Sequence, residues 1–401
     1  MSIRTARNAA LALLLASSAA MADEAAWNRA GNIELQSRFF AEDALWPGQA
    51  SQAAQVSVTA TAELRWRNGA GDQRASVIPF LRWDSVDDER KLVDLREAYW
   101  AWEGDSIELL AGTNTVFWGV TESVHLVDIV NQTDAAGDID GEDKLGQPMV
   151  NVAWQQDWGL LSAYVLPYFR ERSYPGLDGR LRTPLPVATN RAVYESSRKE
   201  QHVDVALRYS HYVGDVDIGL SLFSGTSREP RLVPAGDAPL LVPYYDQIDQ
   251  LGVDLQYTHD AWLWKLEAIA RDGYSGTFAA AVGGFEYTVY QVGESAADVG
   301  LLLEYQYDGR SELEPFTTAD NDVFVGTRFA LNDTQDTSLL AGIAWDTRTG
   351  ETFFNVEAER RIGDSIALEV RARVFSGAGP QDVTYAVARD DYVQVQLAKY
   401  F

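Results

Sequence analysis

The chain has 401 residues, no cysteine, and 59 acidic against 33 basic side chains, a formal net charge of −26. That excess of acid excludes nucleic acid as a partner, because phosphate binding needs lysine and arginine, and the missing cysteines exclude disulfide and thiol chemistry. The 12 tryptophans and 18 tyrosines match the supply that membrane interfaces draw on, yet past residue 22 no apolar run approaches the ~18 residues of a membrane helix.

Residues 1–22 read as an export leader. Arg4 and Arg7 supply the positive start, Ala9 to Ala16 the apolar stretch, and Ala20-Met21-Ala22 a small-residue cleavage site. Cleavage there removes two arginines and no acid, so the expected mature chain, 23–401, is more acidic still. With no helix able to span, an exported chain of this kind is expected either free in the periplasm or as a barrel in the outer membrane.

The mature sequence breaks into about 18 segments of alternating hydropathy separated by turn residues. They fall at 32–41, 54–67, 73–84, 92–102, 106–114, 149–157, 160–169, 201–213, 216–227, 247–259, 262–273, 281–291, 297–308, 322–331, 337–347, 351–361, 366–376 and 390–401. In 54–67, Val56, Val58, Ala60, Ala62, Leu64 and Trp66 point one way, and Ser57, Thr59, Thr61, Glu63 and Arg65 the other. Segments 262–273 and 366–376 repeat this pattern. Connectors alternate strictly between short and long. The short ones, such as Asn68–Asp72, Gly214-Asp215 and Ile362-Gly363-Asp364, carry the Gly, Asp and Asn of tight turns. The long ones include 115–148, 170–200, 228–246, 309–321 and 377–389. Such sorting is expected of short periplasmic turns facing long extracellular loops. The fold class expected is therefore all-β: a transmembrane antiparallel up-and-down barrel forming one domain.

The chain closes on Tyr392-Val393-Gln394-Val395-Gln396-Leu397-Ala398-Lys399-Tyr400-Phe401. Val393, Val395, Leu397 and Phe401 share one face, Gln394, Gln396 and Ala398 the other. An apolar-out, polar-in final strand with a terminal aromatic, Phe401, is an assembly signal for outer-membrane barrels, read by the barrel-assembly machinery. Lys399 on the apolar face can reach the interface. The expected surroundings are outer-membrane lipid and lipopolysaccharide of a Gram-negative bacterium.

If the apolar face meets lipid, the charged face lines a lumen, because an Arg or Lys facing lipid at mid-depth costs about 2–4 kcal/mol. Arg38, Arg65, Arg82 and Arg96 come from four successive strands, and Arg371 and Arg373 from a strand near the closure. With Arg328 they form a candidate basic lining, against candidate acidic residues Glu63 and Glu369. The alternative is that these arginines pair with carboxylates and plug the barrel. Connector 115–148, the third long one, is the candidate constriction. Its Trp118, Glu122, Asp128, Asp134, Asp138 and Asp140 would face the arginines and set up a transverse field. Asp138-Ile139-Asp140-Gly141-Glu142-Asp143 resembles part of a calcium loop but lacks the full ligand pattern, so no metal and no cofactor is assigned. Connector 170–200 is basic within an acidic protein and could dock on the acidic loop or gather anionic solutes, the alternative being charge pairing within the loop layer. The four histidines, His125, His202, His211 and His259, do not sit in a nucleophile-activating pattern, so no enzyme activity is expected.

The stretch 95–131 adds a resemblance. Leu95-Arg96-Glu97-Ala98-Tyr99, Gly112, Trp118-Gly119 and Asp128-Ile129-Val130-Asn131 are similar to a broad group of proteobacterial outer-membrane porin-like barrels and, more distantly, to alginate-export channels. The resemblance implies an inward-folding third loop marked by Trp-Gly. Thr113-Asn114 and Gln132 depart from that group's pattern. The function expected is a channel passing small polar or charged solutes. The alternative is an export or hydrophobic-compound channel working with an inner-membrane exporter, as some relatives are thought to do.

Overall fold

The computed structural model describes residues 26–401; the expected leader, 1–22, lies outside the described residues. The first seven strands are β1 (Ala26–Phe40), β2 (Ala54–Arg67), β3 (Gln73–Asp84), β4 (Leu92–Glu103), β5 (Ile107–Asn114), β6 (Gln147–Gln156) and β7 (Gly159–Leu166). A short β8 (Val193–Tyr194) lies in the connector that follows, and β9 (Asp204–Val213) and β10 (Val216–Thr226) return to the main sheet. β11 (Arg231–Pro234) and β12 (Leu241–Tyr245) join β8 in a small three-stranded sheet above one rim. The remaining strands are β13 (Gln247–His259), β14 (Trp262–Gly273), β15 (Gly276–Val289), β16 (Asp298–Asp308), β17 (Asp322–Ala330), β18 (Ser338–Asp346), β19 (Thr352–Ile362), β20 (Ile366–Ser376) and β21 (Tyr392–Tyr400).

Eighteen of these strands form one antiparallel sheet that closes, because β1 pairs with both β2 and β21. Closure leaves no sheet edge, the condition for burying strands in lipid. The seam is completed beyond β21: the Phe401 amide donates to the Gly31 carbonyl, and the Gly31 amide to the Phe401 carbonyl, at 3.0 and 3.1 Å. A side chain at Gly31 would meet the Phe401 ring, so the glycine lets the terminal ring lie over the seam.

Alternation sorts the side chains. On β21 the outward Val393 and Leu397 are exposed, while the inward Tyr392, Gln394 and Ala398 are buried. Trp27, Trp100, Trp102, Trp154, Trp158, Trp262 and Trp264 are exposed on the outer face near the short-turn end, and several contact one another: Trp154 lies edge-on to Trp158, and Trp262 stacks on Trp264. This is the aromatic girdle a membrane interface favours. Among the described residues no helix is long and apolar enough to cross a membrane.

One expectation needs correction. The segment expected at 281–291 is β15, and it begins at Gly276. Its Phe278, Ala280 and Val282 point inward and Thr277, Ala279 and Ala281 outward, so alanines on both faces erase the hydropathy contrast. Consequently the connector at the long-loop end is only Tyr274-Ser275, while 290–297 at the short-turn end is the longer one. The strict short-long alternation fails at this hairpin. Strand β4 carries a bulge: Ile78 faces Glu97 but Pro79 faces Leu95, leaving Arg96 as the extra residue. Pro79 has no amide to continue the ladder, which explains a register break there.

Candidate functional site

The connector between β5 and β6 lies inside the barrel and touches walls on both sides of it. Its base is tied by Asn131, which accepts from the Val116 amide at 2.9 Å and donates to the carbonyls of Asn114 and Leu145 at 3.0 and 2.8 Å. Gly112 has φ +139°, and a Cβ there would lie 2.2 Å from the Ala98 carbonyl oxygen, so only glycine fits as the chain leaves β5. Trp118 is buried, edge-on to Tyr164 at 5.6 Å, with the Arg208 guanidinium 5.1 Å from its ring. The residues that carry the family resemblance are thus those that shape the root of this loop.

From there the chain reaches the wall made by β14 and β16. Glu267, on β14, accepts the amides of Val120 and Thr121 and the Thr121 hydroxyl on one oxygen, and the Val127 amide on the other. Glu304, on β16, accepts the amides of Glu122 and Ser123 at 2.8 and 2.9 Å and the Ser123 hydroxyl at 2.5 Å. Two wall carboxylates therefore hold four successive backbone amides, 120–123. Both are almost fully buried, where hydrogen bonds to a charged acceptor are strongest. His125 adds to the same fastening: its Nδ1 is 3.7 Å from Glu267 and its Nε2 3.1 Å from Glu142. Burial alone would lower the imidazole's basicity, but the two carboxylates overcome it and push it up to about 10, so it is a cation at neutral pH. The Glu122 side chain bonds Arg328 at 2.7 Å, and Asp128 is held by Lys144 at 3.0 Å.

The other end of the loop meets β1, β20 and β21. Asp138 lies 3.3 Å from Arg38 and 2.9 Å from Arg371, and accepts from the Tyr392 hydroxyl at 2.9 Å. Asp140 lies 3.4 Å from Arg371 and 3.3 Å from Arg373. The Gly137 carbonyl accepts from Arg38 and Arg90, each at 2.9 Å. Asp134 is held by Arg82 at 2.8 Å, with Arg96 at 3.6 Å. Burial opposes ionisation of Asp138, yet Arg38, Arg371 and Arg373 outweigh it and hold the carboxyl well below the ordinary range. A depressed carboxylate contributes stability above its unfolded pKa of about 4, and loses it only as pH falls through the lower folded value. The Asp138 contacts should accordingly persist in mild acid, whereas burial and the neighbouring Asp138 raise the Asp140 carboxyl, so its contacts with Arg371 and Arg373 weaken first as pH falls. Asp138→Asn removes the charge and leaves Arg38 short of a partner, a loss of about 3–5 kcal/mol in a buried site. The expected outcome is a large rise in amide exchange over residues 136–142; unchanged exchange would mean that the carbonyl contacts at Gly137 suffice.

The candidate lining residues divide into two groups. Arg38, Arg82, Arg96, Arg371 and Arg373 are in direct ion pairs with loop acids. Their distances are those of contact, so no open gap separates an acidic loop from a basic ladder at this level. Arg65 and Glu63 pair with each other at 3.0 Å nearer the short-turn end and stay half-exposed. Glu369 is in contact with Arg371 and accepts from Gln396 at 3.4 Å. Glu267 and Glu304, Arg90 and Gly137 hold the loop as well, and sequence reasoning gave none of them that part. Connector 167–203 does dock on the loop, through a bridge between Asp134 and Ser173 and a bond from Gln132 to the Arg170 carbonyl. Its arginines mostly go elsewhere: Arg170 to Asp94, Arg180 to Asp390. The carboxylates of 138–143 turn to cationic side chains of the wall and the loop, Asp138 and Asp140 sharing Arg371, and among the described residues no group of three or more potential ligands could hold a metal ion.

No protein-family model and no curated protein matches the sequence. Solved structures do resemble it. OccK5 (OpdH) of Pseudomonas aeruginosa is 10% identical, with a TM-score of 0.55 over 94% of this chain and 97% of that one. OpdQ of the same organism is 10% identical, with a TM-score of 0.53 over the same shares. Wzi of Escherichia coli, described as an outer-membrane protein involved in capsule assembly and a carbohydrate-binding barrel, is 9% identical, with a TM-score of 0.52 over 92% of this chain and 84% of that one. At such identities the likeness is one of fold: a closed, 18-stranded antiparallel barrel of the kind these outer-membrane proteins adopt.

Proposed function

We propose that the protein is a porin-like channel of a Gram-negative outer membrane, passing small polar or charged solutes through a lumen narrowed by the loop between β5 and β6. The observation that carries this reading is the loop itself, fastened across an 18-stranded barrel by buried carboxylates on one wall and arginines on the other. A barrel of that size leaves an aqueous passage unless it is filled, and an inward loop fixed at both walls is the element that would narrow it. Membership of the porin-like group is part of the proposal, supported by the roles of Gly112, Trp118 and Asn131 at the loop root. So are contact with lipopolysaccharide, recognition of the final strand by the barrel-assembly machinery, and the absence of nucleic-acid and enzymatic roles.

The export alternative has one observation in its favour. Phe324, Phe353 and Phe375 face inward on one register row, through Ala344, and Phe353 stacks on Phe375 at 5.2 Å. Phe324 and Phe375 are buried, however, which hides most of this apolar row from a passing solute.

Recording refolded protein in a planar bilayer tests the proposal. Stable open steps are expected. A correctly folded barrel that stays silent would sink the diffusion-channel reading and favour export with an inner-membrane partner.

A further inference from the structure

We infer that this channel prefers small organic cations, ammonium or guanidinium compounds carrying an apolar portion, and that Glu142, Asp143 and Phe117 set the preference. The inference rests on the channel reading above. It follows from which charges in the lumen are reachable.

The arginines that hold the loop are withdrawn from water. The side chains of Arg38 and Arg82 are 4% exposed and that of Arg373 0%, each against a loop carboxylate or its neighbour; Arg371, 26% exposed, is shared among Asp138, Asp140 and Glu369. Glu142 and Asp143 on the same loop are 57% and 47% exposed. Their cationic neighbours are shared: His125 lies between Glu142 and Glu267, and Arg82, 3.8 Å from Asp143, is already taken by Asp134 at 2.8 Å. Glu34 on β1 extends the acidic surface. It is bonded by Asn32, Thr59 and Gln396, which are neutral donors; Glu369 and Asp143 repel it, and Arg371 attracts it more weakly. The more exposed lining arginines, Arg65 and Arg328, are each paired with a carboxylate, Glu63 and Glu122. A solute therefore meets a net negative lip, which concentrates cations.

Phe117 supplies the apolar part. It is half-exposed, and its ring lies edge-on at 4.8 Å to His125, the same imidazole that Glu142 meets at 3.1 Å. An exposed ring beside a carboxylate favours a cation that can also cover the ring face. Inorganic cations would gain only from the charge.

The test uses the full-length refolded barrel in a planar bilayer, with a potassium chloride gradient and then with argininamide as the probe. We expect a potassium-to-chloride permeability ratio of about three or more. Glu142→Gln with Asp143→Asn should cut it at least about twofold, since both side chains are about half-exposed and the changes keep their shape. Argininamide should interrupt the potassium current, and Phe117→Ala should shorten those interruptions several-fold. An open channel that prefers chloride, or whose ratio ignores the double substitution, overturns the inference and leaves the channel reading standing. Interruptions unchanged by Phe117→Ala overturn the organic-cation part. A folded barrel that never conducts overturns the channel reading and this inference with it.

Discussion

Glu267→Ala combined with Glu304→Ala is expected to free residues 119–127 from the wall and to raise single-channel conductance. Glu267 receives four hydrogen bonds from the loop and Glu304 three. Bonds to a charged acceptor contribute about 1.5–3 kcal/mol each. The substitution removes these acceptors and leaves the amides of Val120, Thr121, Glu122 and Ser123 without partners at the wall, so the docked state loses its reason to exclude water there. His125 loses one of its two carboxylates at the same time. We expect conductance to rise about twofold with added open-state noise, and amide exchange at 120–123 to accelerate. Glu267→Gln keeps one acceptor oxygen and should give a smaller change. If the double variant conducts as the parent does and its amides stay protected, the loop is held by its arginine end and its root alone.

That fastening shows what a sequence can and cannot reveal. Glu267 and Glu304 are legible as inward charges, because each sits between outward apolar neighbours, Leu266 and Ala268, or Leu303 and Tyr305. Their partners are backbone amides, which every residue except proline carries, so nothing in the letters links them to residues 120–123. The acid-arginine contacts are half legible. Asp138 and Arg371 can each be read as facing the lumen, but only the register and the path of the loop bring them to 2.9 Å. Gly137 gives no signal at all: its carbonyl is gripped by Arg38 and Arg90, and a Cβ would meet Asp143 and Arg82. The strands were legible where branched or aromatic residues alternate with charge, as in β2, β14 and β20. At β15 the run Ala279-Ala280-Ala281 offers the same small side chain to both faces, and the alternation vanishes although the strand does not.

Leu397→Arg should sharply reduce the yield of assembled barrel, whereas Gln396→Arg, one residue earlier, should be tolerated. Leu397 faces outward, paired with Leu35 on β1 and Leu368 on β20, and these three leucines form a continuous apolar row over the seam. An arginine there costs about 2–4 kcal/mol at mid-depth, and it falls on the strand that must close against β1. Gln396 faces the lumen between Glu34 and Glu369, from which its amide lies 3.3 and 3.4 Å, so a cation at that position meets two carboxylates. The pair of variants differs by one position and by the face it occupies, because a strand's side chains alternate with period 2. Heat-modifiable, folded protein recovered from membranes is the quantity to compare. The opposite ranking would mean that β21 sits one residue out of register, with Gln394 and Gln396 toward lipid. It would also detach Arg38 from Gln394, to which it is bonded at 2.7 Å, and with it the wall on which Asp138 rests.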